Sequence, residues 1–452
     1  MNYLEAVEYI QSFPDMERGT PGSRGLTMGL DSMRSLLDRL DNPQKDRNTV
    51  HVTGSKGKGS TSTMIAAILQ AAGYRTALYT SPHLHSYTER IALGLEPISE
   101  EMFAASVAEI QPHIEEEGKK GNGSLSTFGI LTALFFYMVR KAAPVVDWQI
   151  VEVGMGGRYD ATNVMEQKNL VIITPISLEH IEVLGSSQTE IASNKAAIIT
   201  SGCTAVLAPQ KDASVRSVIG RQCHQVGAGL VDVGSKAFAV KRKHQDLHGQ
   251  TFELISSMGN IELQTPMLGG HQATNAAVAA VSAQVLARAG ATISDQAIQT
   301  GLAKTSIPGR LELMPPVQVV GEPTILVDGA HNHESATALS DALKNLFPER
   351  KVIFVIGVNN DKNINAIWRE LNSLSKMVIT TKSHNLRAMD PEALSDAVSF
   401  QATGLARATT SVIEAMNLAL QEAKLDDVIC VTGSLYVVAE ARDYLLKRSA
   451  KP

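Results

Sequence analysis

Apolar runs rich in Val, Ile and Leu alternate along the chain with longer stretches in which apolar side chains recur every three or four residues. Near-continuous apolar runs bounded by turn residues suit strands buried on both faces, and the helical period suits the helices that cover them. On this pattern strands are predicted at 49–53, 149–153, 170–174, 205–208, 324–327, 352–356, 377–381 and 428–431. Helices are predicted at 61–72, 127–141, 190–199, 273–289, 334–346, 363–374, 391–399, 412–424 and 435–448. The alternation predicts an α/β fold of stacked strand–helix units with a mostly parallel sheet. Between 213 and 269 the pattern weakens into short alternating runs such as 252–255 and 261–264, which read as a small β excursion. The stretch 305–316 carries three prolines and a glycine and reads as a linker, dividing the chain into domains 1–303 and 304–452.

Length agrees with that division, since 452 residues exceed one typical core. A hydrophobic content of 44% with 19% charged residues and a net charge of −5 fits an ordinary globular protein and offers no basic field for nucleic acid. Cys203, Cys223 and Cys430 form no C-x-x-C spacing, which argues for a reducing compartment. Residues 1–13 lack the basic and apolar regions of a secretory signal, and the longest apolar run, 130–139, is too short to span a bilayer. The expected address is the cytoplasm, with no membrane partner.

Chemistry concentrates in the turns after strands. The first is His51-Val52-Thr53-Gly54-Ser55-Lys56-Gly57-Lys58-Gly59-Ser60-Thr61, where strand, glycine-rich turn and helix follow in order. Glycines let backbone N–H groups converge on an anion, and the helix start adds unpaired amides and the positive end of its dipole. Lys58 supplies a mobile cation, and Ser60 or Thr61 a hydroxyl for the Mg²⁺ that accompanies ATP. The common pattern G-x-x-x-x-G-K-[ST] is not met, because Val occupies position 52 and Gly59 separates Lys58 from Ser60. The alternative is a Gly/Ser/Lys-rich surface loop.

Further turns share this grammar. Glu152-Val153-Gly154-Met155-Gly156-Gly157-Arg158-Tyr159-Asp160 follows an apolar strand and sets Glu152 where an acid can serve Mg²⁺. Its plain alternative is a tight turn with a solvated carboxylate. Thr174-Pro175-Ile176-Ser177-Leu178-Glu179-His180 also ends a strand, and its acid–histidine pair can ligate metal, position water or serve only as structure. Lys195 sits among Ala192, Ala196, Ala197 and Ile198, as a snorkelling side chain or a functional amine. His83/His85 and His331/His333 have ligand-like spacing without supporting cysteines and read as loop contacts rather than zinc ligands. Asp328-Gly329-Ala330-His331-Asn332, Asp361-Lys362 and Gly433-Ser434 are further strand-end positions.

Taken in order, these blocks resemble the folylpolyglutamate synthase/dihydrofolate synthase branch of the Mur ligase superfamily. The carriers are T-G-S-K-G-K-G-S-T at 53–61, T-S-P-H-L at 80–84, E-R-I at 89–91, E-V-G-M-G-G-R-Y-D-A-T-N at 152–163 and L-E-H at 178–180. They continue with Lys195, H-Q-A-T-N at 271–275, P-G-R-L-E at 308–312, D-G-A-H-N at 328–332, D-K at 361–362 and G-S-L-Y at 433–436. The likeness runs from about Gly29 to Tyr436.

That resemblance implies a two-domain fold, a P-loop-type mostly parallel ATPase domain followed by a smaller Rossmann-like α/β domain. It implies an ATP site at Gly54, Gly57, Lys58, Gly59, Ser60 and Thr61 with Asn275, Arg310 and Asp328, and Mg²⁺ held by Ser60, Glu152 and His180. Lys195 corresponds to a lysine that the family carbamylates, and His331 and Ser434 correspond to the glutamate-receiving face. The pterin is expected against Phe128, with Ser81, Pro82, His83, Asp160 and Ala161 nearby. Lys58, Lys195, His180 and His331 are the expected catalytic residues. A pteroate or folate carboxylate attacks the γ-phosphate of ATP, and the amine of L-glutamate then displaces phosphate from the acyl phosphate. Closure of the second domain is expected to protect that intermediate from water. A monomer is expected.

Several positions depart from the family pattern. Gly129 stands where Glu is usual, Glu179 where Asp is usual, Asn194 where Glu is usual, Ser55-Lys56 where Thr-Asn is common, and His333 where Pro is found. A relative acting on a non-folate acid and a nucleotide binder without ligase activity are the competing readings.

Overall fold

The computed structural model describes residues 1–15, 30–120, 125–315, 323–399 and 405–449. Gly29, where the family likeness starts, and Pro316, at the end of the predicted linker, lie outside the described residues. The chain forms two compact units, one comprising Met1–Lys241, Phe252–Gln264 and Thr274–Thr305, the other Arg242–Thr251, Thr265–Ala273 and Ser306–Pro452.

Eight strands form the sheet of the first unit among the described residues: β1 (Asn48–Thr53), β2 (Thr76–Tyr79), β3 (Ile91–Leu93), β4 (Glu96–Pro97), β5 (Trp148–Glu152), β6 (Leu170–Ile173), β7 (Thr204–Leu207) and β8 (Gly229–Asp232). Their order is β4-β3-β2-β5-β1-β6-β7-β8. All neighbours run parallel except the β2–β3 and β3–β4 pairs. Strands β5 and β6 are buried at every residue, as parallel strands covered on both faces must be. Strand β1 lies between β5 and β6, with Val52 level with Glu152 and Thr53 level with Ile173. The chain therefore builds outward on one side of β1 and then crosses to the other, and the turns after β1, β5 and β6 emerge side by side. This reversal of strand order is where open parallel sheets collect ligands.

The helix after β1 is Lys58–Ala71, starting three residues before the predicted boundary. Helix Asp295–Lys304 packs on it so closely that a Cβ on Gly301 would lie 2.5 Å from the Cα of Ile68 and 2.6 Å from its N. Backbone cannot give way as a side chain can. Gly301→Ala is expected to destabilise the protein by about 1–3 kcal/mol through overpacking, read as a lowered denaturation midpoint.

The 213–269 stretch differs from its sequence reading, because its first part is a helix, Ala213–Val226. Only Val215, Ile219 and Cys223 are buried there, a four-residue spacing that makes one narrow apolar stripe. Strands β9 (Phe238–Asp246), β10 (Gly249–Ser256) and β11 (Ile261–Thr265) follow as a three-stranded sheet.

The second unit holds β12 (Glu312–Leu313), β13 (Thr324–Val327), β14 (Val352–Ile356), β15 (Ser375–Thr380), β16 (Leu405–Ala408) and β17 (Val428–Thr432), ordered β12-β13-β17-β14-β15-β16. Only the β12–β13 pair is antiparallel. Its core includes Leu326, Phe354, Val378 and Cys430 from the strands and Leu339, Trp368 and Leu394 from helices. The three cysteines are free and buried. No helix among the described residues is long and apolar enough to cross a membrane.

Candidate active site

The phosphate-loop candidate begins where β1 ends. Gly57 caps the following helix with φ +84°, and no side chain caps its first turn, so the leading amides keep their hydrogen-bonding capacity. A Cβ at Gly57 would sit 2.5 Å from Asn275 Oδ1, and one at Gly54 would sit 1.9 Å from Thr174 Oγ1. Both positions thus need glycine for backbone conformation and for space. Ser60 and Thr61 are buried on the first turn, and the Thr61 hydroxyl has no hydrogen-bond partner.

Glu152, at the end of β5, is buried, and its Oε2 accepts a hydrogen bond of 3.0 Å from Ser81 N. The same oxygen lies 3.4 Å from where a Cβ on Gly59 would stand. A Cβ there would meet the carboxylate in ordinary contact, so Gly59 marks closeness to Glu152 rather than a steric need for glycine. Among the described residues no group of three or more His, Cys, Asp or Glu side chains could hold a metal unaided. A carboxylate, a hydroxyl and an imidazole, as Glu152, Ser60 and His180 would supply, are the sparse kind of set that Mg²⁺ would complete with waters and substrate phosphates. His180 is exposed, with φ +45°, at the start of helix Ile181–Leu184.

Lys195 is fully buried, and its Nζ donates to Gly54 O and Glu179 Oε1 at 2.8 Å each. Lys58 Nζ donates to the same Gly54 carbonyl at 3.2 Å. Burial would raise the Glu179 carboxyl, but Lys195 and then Lys58 outweigh it and hold the group ionised below the usual carboxylate range. Burial pulls Lys195 below the usual lysine range against the attraction of Glu179. Asn194, another departure, accepts from Arg158 N at 3.3 Å and crowds Gly156, where a Cβ would lie 2.5 Å from Asn194 Oδ1.

Phe128 lies against the β5 turn, because a Cβ on Gly154 would fall 2.5 Å from its ring. Asp160 is buried and accepts from Met155 N at 2.9 Å and Thr162 N at 3.0 Å, and burial raises its carboxyl. Thr162 Oγ1 donates to Asp160 and pairs at 2.8 Å with Nε2 of the fully buried His51. Asp160 thus anchors its turn as well as standing in the expected pterin region. Ala161 follows it, partly buried. Gly129, where a carboxylate was expected by likeness, is buried and donates its N–H to Ser126 Oγ at 3.0 Å as part of a helix cap.

The loop of Ser81, Pro82 and His83 is shaped by the E-R pair downstream. Glu89 accepts amide hydrogens from Leu84, His85 and Ser86 at 2.8, 2.7 and 2.7 Å. Arg90, buried, donates to His83 Nδ1 at 2.8 Å, and burial followed by Arg90 lowers that imidazole to about 3, so it is neutral. Glu89→Ala strips three amides of their acceptor. It is expected to destabilise by about 1–3 kcal/mol and to raise the KM for the acid substrate more than for ATP, as steady-state kinetics would measure.

In the second unit Asp328, at the end of β13, accepts from Leu311 N at 2.8 Å and Ala330 N at 3.0 Å. Burial raises it to about 6, against the opposing pull of Arg310. Arg310 lies beside Gly329, whose Cβ would stand 3.4 Å from Arg310 Nη1. His331 Nδ1 pairs with Gly329 O at 2.8 Å, and Ser434 Oγ accepts from Tyr436 N at 3.2 Å at the start of the last helix. Asp361 joins Lys362 at 2.8 Å and Arg387 at 2.9 Å on neighbouring turns.

Comparison with known proteins gives these two strand-end systems a common context. Residues 52–283 match the Mur ligase middle domain and residues 309–435 the Mur ligase glutamate ligase domain. A dihydrofolate synthase/folylpolyglutamate synthase of Mycobacterium tuberculosis is 35% identical over 386 residues, spanning 81% of this chain and 76% of the relative. The chain belongs to the Mur ligase superfamily, in its folylpolyglutamate synthase/dihydrofolate synthase branch. The fold of this Mur ligase matches that of M. tuberculosis folylpolyglutamate synthase complexed with ADP and AMPPCP, with TM-score 0.86, 30% identity and coverage of 100% of this chain and 98% of the other. It matches the Escherichia coli protein FolC in complex with DHPP and ADP with TM-score 0.84 and 26% identity, covering 100% and 99%.

Within this Mur ligase, sequence reading missed the roles of Glu89 and Arg90 as loop organisers and the His51–Thr162 link to Asp160. A carboxylate followed by arginine just before an apolar strand was a visible signal for the first. The second joins residues 111 apart and had no local signature.

Proposed function

We propose that this Mur ligase joins L-glutamate to the carboxylate of dihydropteroate, of a reduced folate, or of both, through an acyl phosphate formed with ATP. The observation that carries the reading is the uncapped helix start after β1, opened by Gly57 in the left-handed conformation, with Glu152 beside Gly59. Gly54, Gly57, Gly59, Ser60 and Thr61 cradle the phosphates, and Lys58 offsets charge on the transferring group. Asn275, whose side chain lies against Gly57, serves the nucleotide within the first unit. Ser60, Glu152 and His180 would hold Mg²⁺, which would supply Lewis-acid neutralisation of phosphate charge when bound. Phe128, Asp160, Ala161 and the Ser81-Pro82-His83 loop receive the pterin, and His331 and Ser434 serve glutamate. Residues 1–303 carry ATP and pterin and residues 304–452 the glutamate function, in a cytoplasmic monomer without nucleic-acid or membrane partners.

In its unmodified form Lys195 pairs with Glu179 and with the Gly54 carbonyl. Carbamylation belongs to the same proposal only if Glu179 releases the amine first. A mass increase of one CO₂ on Lys195 in bicarbonate tests this directly.

The deciding assay supplies ATP, Mg²⁺, L-glutamate and, in turn, dihydropteroate, a reduced folate and unrelated carboxylic acids. ADP and a product heavier by one glutamyl unit are expected with a pteroate or folate. Product from none of the pterins overturns the proposal, and product from another acid alone identifies a different acceptor.

A further inference from the structure

Parallel pairing between β1 and β6 ends at Thr53 and Ile173, with one more bond from Thr174 N to Thr53 O at 2.8 Å. Beyond that point the turns carrying the phosphate loop and the Glu179-His180 pair would separate, but they remain stitched together. Ser55 N and Lys56 N both donate to Pro175 O, at 2.9 and 3.3 Å. The Ser55 hydroxyl then takes the place of backbone, accepting from Ser177 N and donating to Ser177 O at 3.1 Å each. On the other side of the segment, Gln210 Oε1 accepts from Ile176 N at 2.9 Å and its Nε2 donates to Thr174 O at 3.4 Å. Main-chain groups of residues 174–177 are thus held between one hydroxyl of the phosphate loop and one amide after β7. Ser55 is 5% exposed, so water competes little for these bonds.

We propose that Ser55 is a positioning residue. Its hydroxyl fixes the segment ending in Glu179 and His180 relative to the phosphate loop, and so couples the metal-binding histidine to nucleotide binding. This rests on the nucleotide reading above. The coupling uses a side chain, since main-chain pairing alone stops short of the segment's end. Threonine can supply the same hydroxyl at position 55 and alanine cannot.

The test measures ADP affinity by calorimetry with and without Mg²⁺, together with amide hydrogen exchange at 177–180 in the protein without nucleotide. Losing two neutral hydrogen bonds in Ser55→Ala is expected to remove about tenfold of the Mg²⁺-dependent gain in affinity. Metal-free ADP affinity should change by no more than about threefold, since the loop amides are retained. Exchange at 177–180 should quicken in Ser55→Ala, and Ser55→Thr should restore both readouts. Should Ser55→Ala fold poorly, Ser55→Cys, similar in size and weak in hydrogen bonding, is expected to show the same losses. An unaltered Mg²⁺ gain with unaltered exchange in a folded Ser55→Ala or Ser55→Cys variant overturns the inference and leaves the nucleotide reading standing. Failure of the unsubstituted protein to bind ADP overturns both.

Discussion

Replacing Lys58 with alanine is expected to lower ATP-dependent turnover by about 10²–10³-fold, the usual cost of removing one preorganised group that meets developing charge. The side chain stands on the first helical residue after Gly57 and reaches back to the Gly54 carbonyl at 3.2 Å. That carbonyl keeps its shorter bond from Lys195 when Lys58 is lost, so no buried acceptor is left bare. The effect therefore falls on chemistry more than on folding. ADP release measured at saturating acid and glutamate, beside a thermal unfolding curve, separates the two. A folded variant that turns over within about threefold of the unsubstituted protein would remove Lys58 from the mechanism.

The Glu179/Lys195 pair carries the second large effect. Its exposed fractions are 13% and 1%, so neither charge is well solvated. Lys195→Met leaves the Glu179 carboxylate without its hydrogen-bonded cation, facing only the more weakly acting Lys58 and Lys56, and the Gly54 carbonyl loses its shorter bond. Breaking such a pair from one side is expected to cost about 3–5 kcal/mol of stability, with activity lost as the segment holding His180 shifts. Adding Glu179→Gln removes the stranded charge, so the double variant should be more stable than Lys195→Met alone. Urea midpoints of the two single variants and the double variant measure the coupling. Additive losses would show that the two side chains act independently.

Much of the phosphate loop was readable before the fold was known. A strand, a run of glycines and a helix start are local features, and Gly57 with φ +84° confirms why that glycine is required. The closeness of Gly59 to Glu152 was not readable, because the carboxylate comes from a strand more than ninety residues later. Glu179 reads in sequence as a modest departure from Asp, and in the fold it is the partner of Lys195. Gly129 reads as a missing carboxylate and in the fold is a capped turn of helix Thr127–Lys141. Helix Ala213–Val226 escaped detection since its buried side chains are few and interrupted by charged and polar neighbours.

The sequence by itself determined the alternation of strands and helices, the ligand-binding grammar of the strand-end turns and the family of the chain, because periodicity, turn chemistry and ordered motifs are written locally. Tertiary structure alone decided that the turns after β1, β5 and β6 share one edge of the sheet, since β5 inserts between β2 and β1 and no local pattern encodes that order. It also decided the partners of Lys195, Asp160 and Ser55. Those bonds depend on register between distant strands and on which buried charges have no water to turn to, and both are properties of the packed chain.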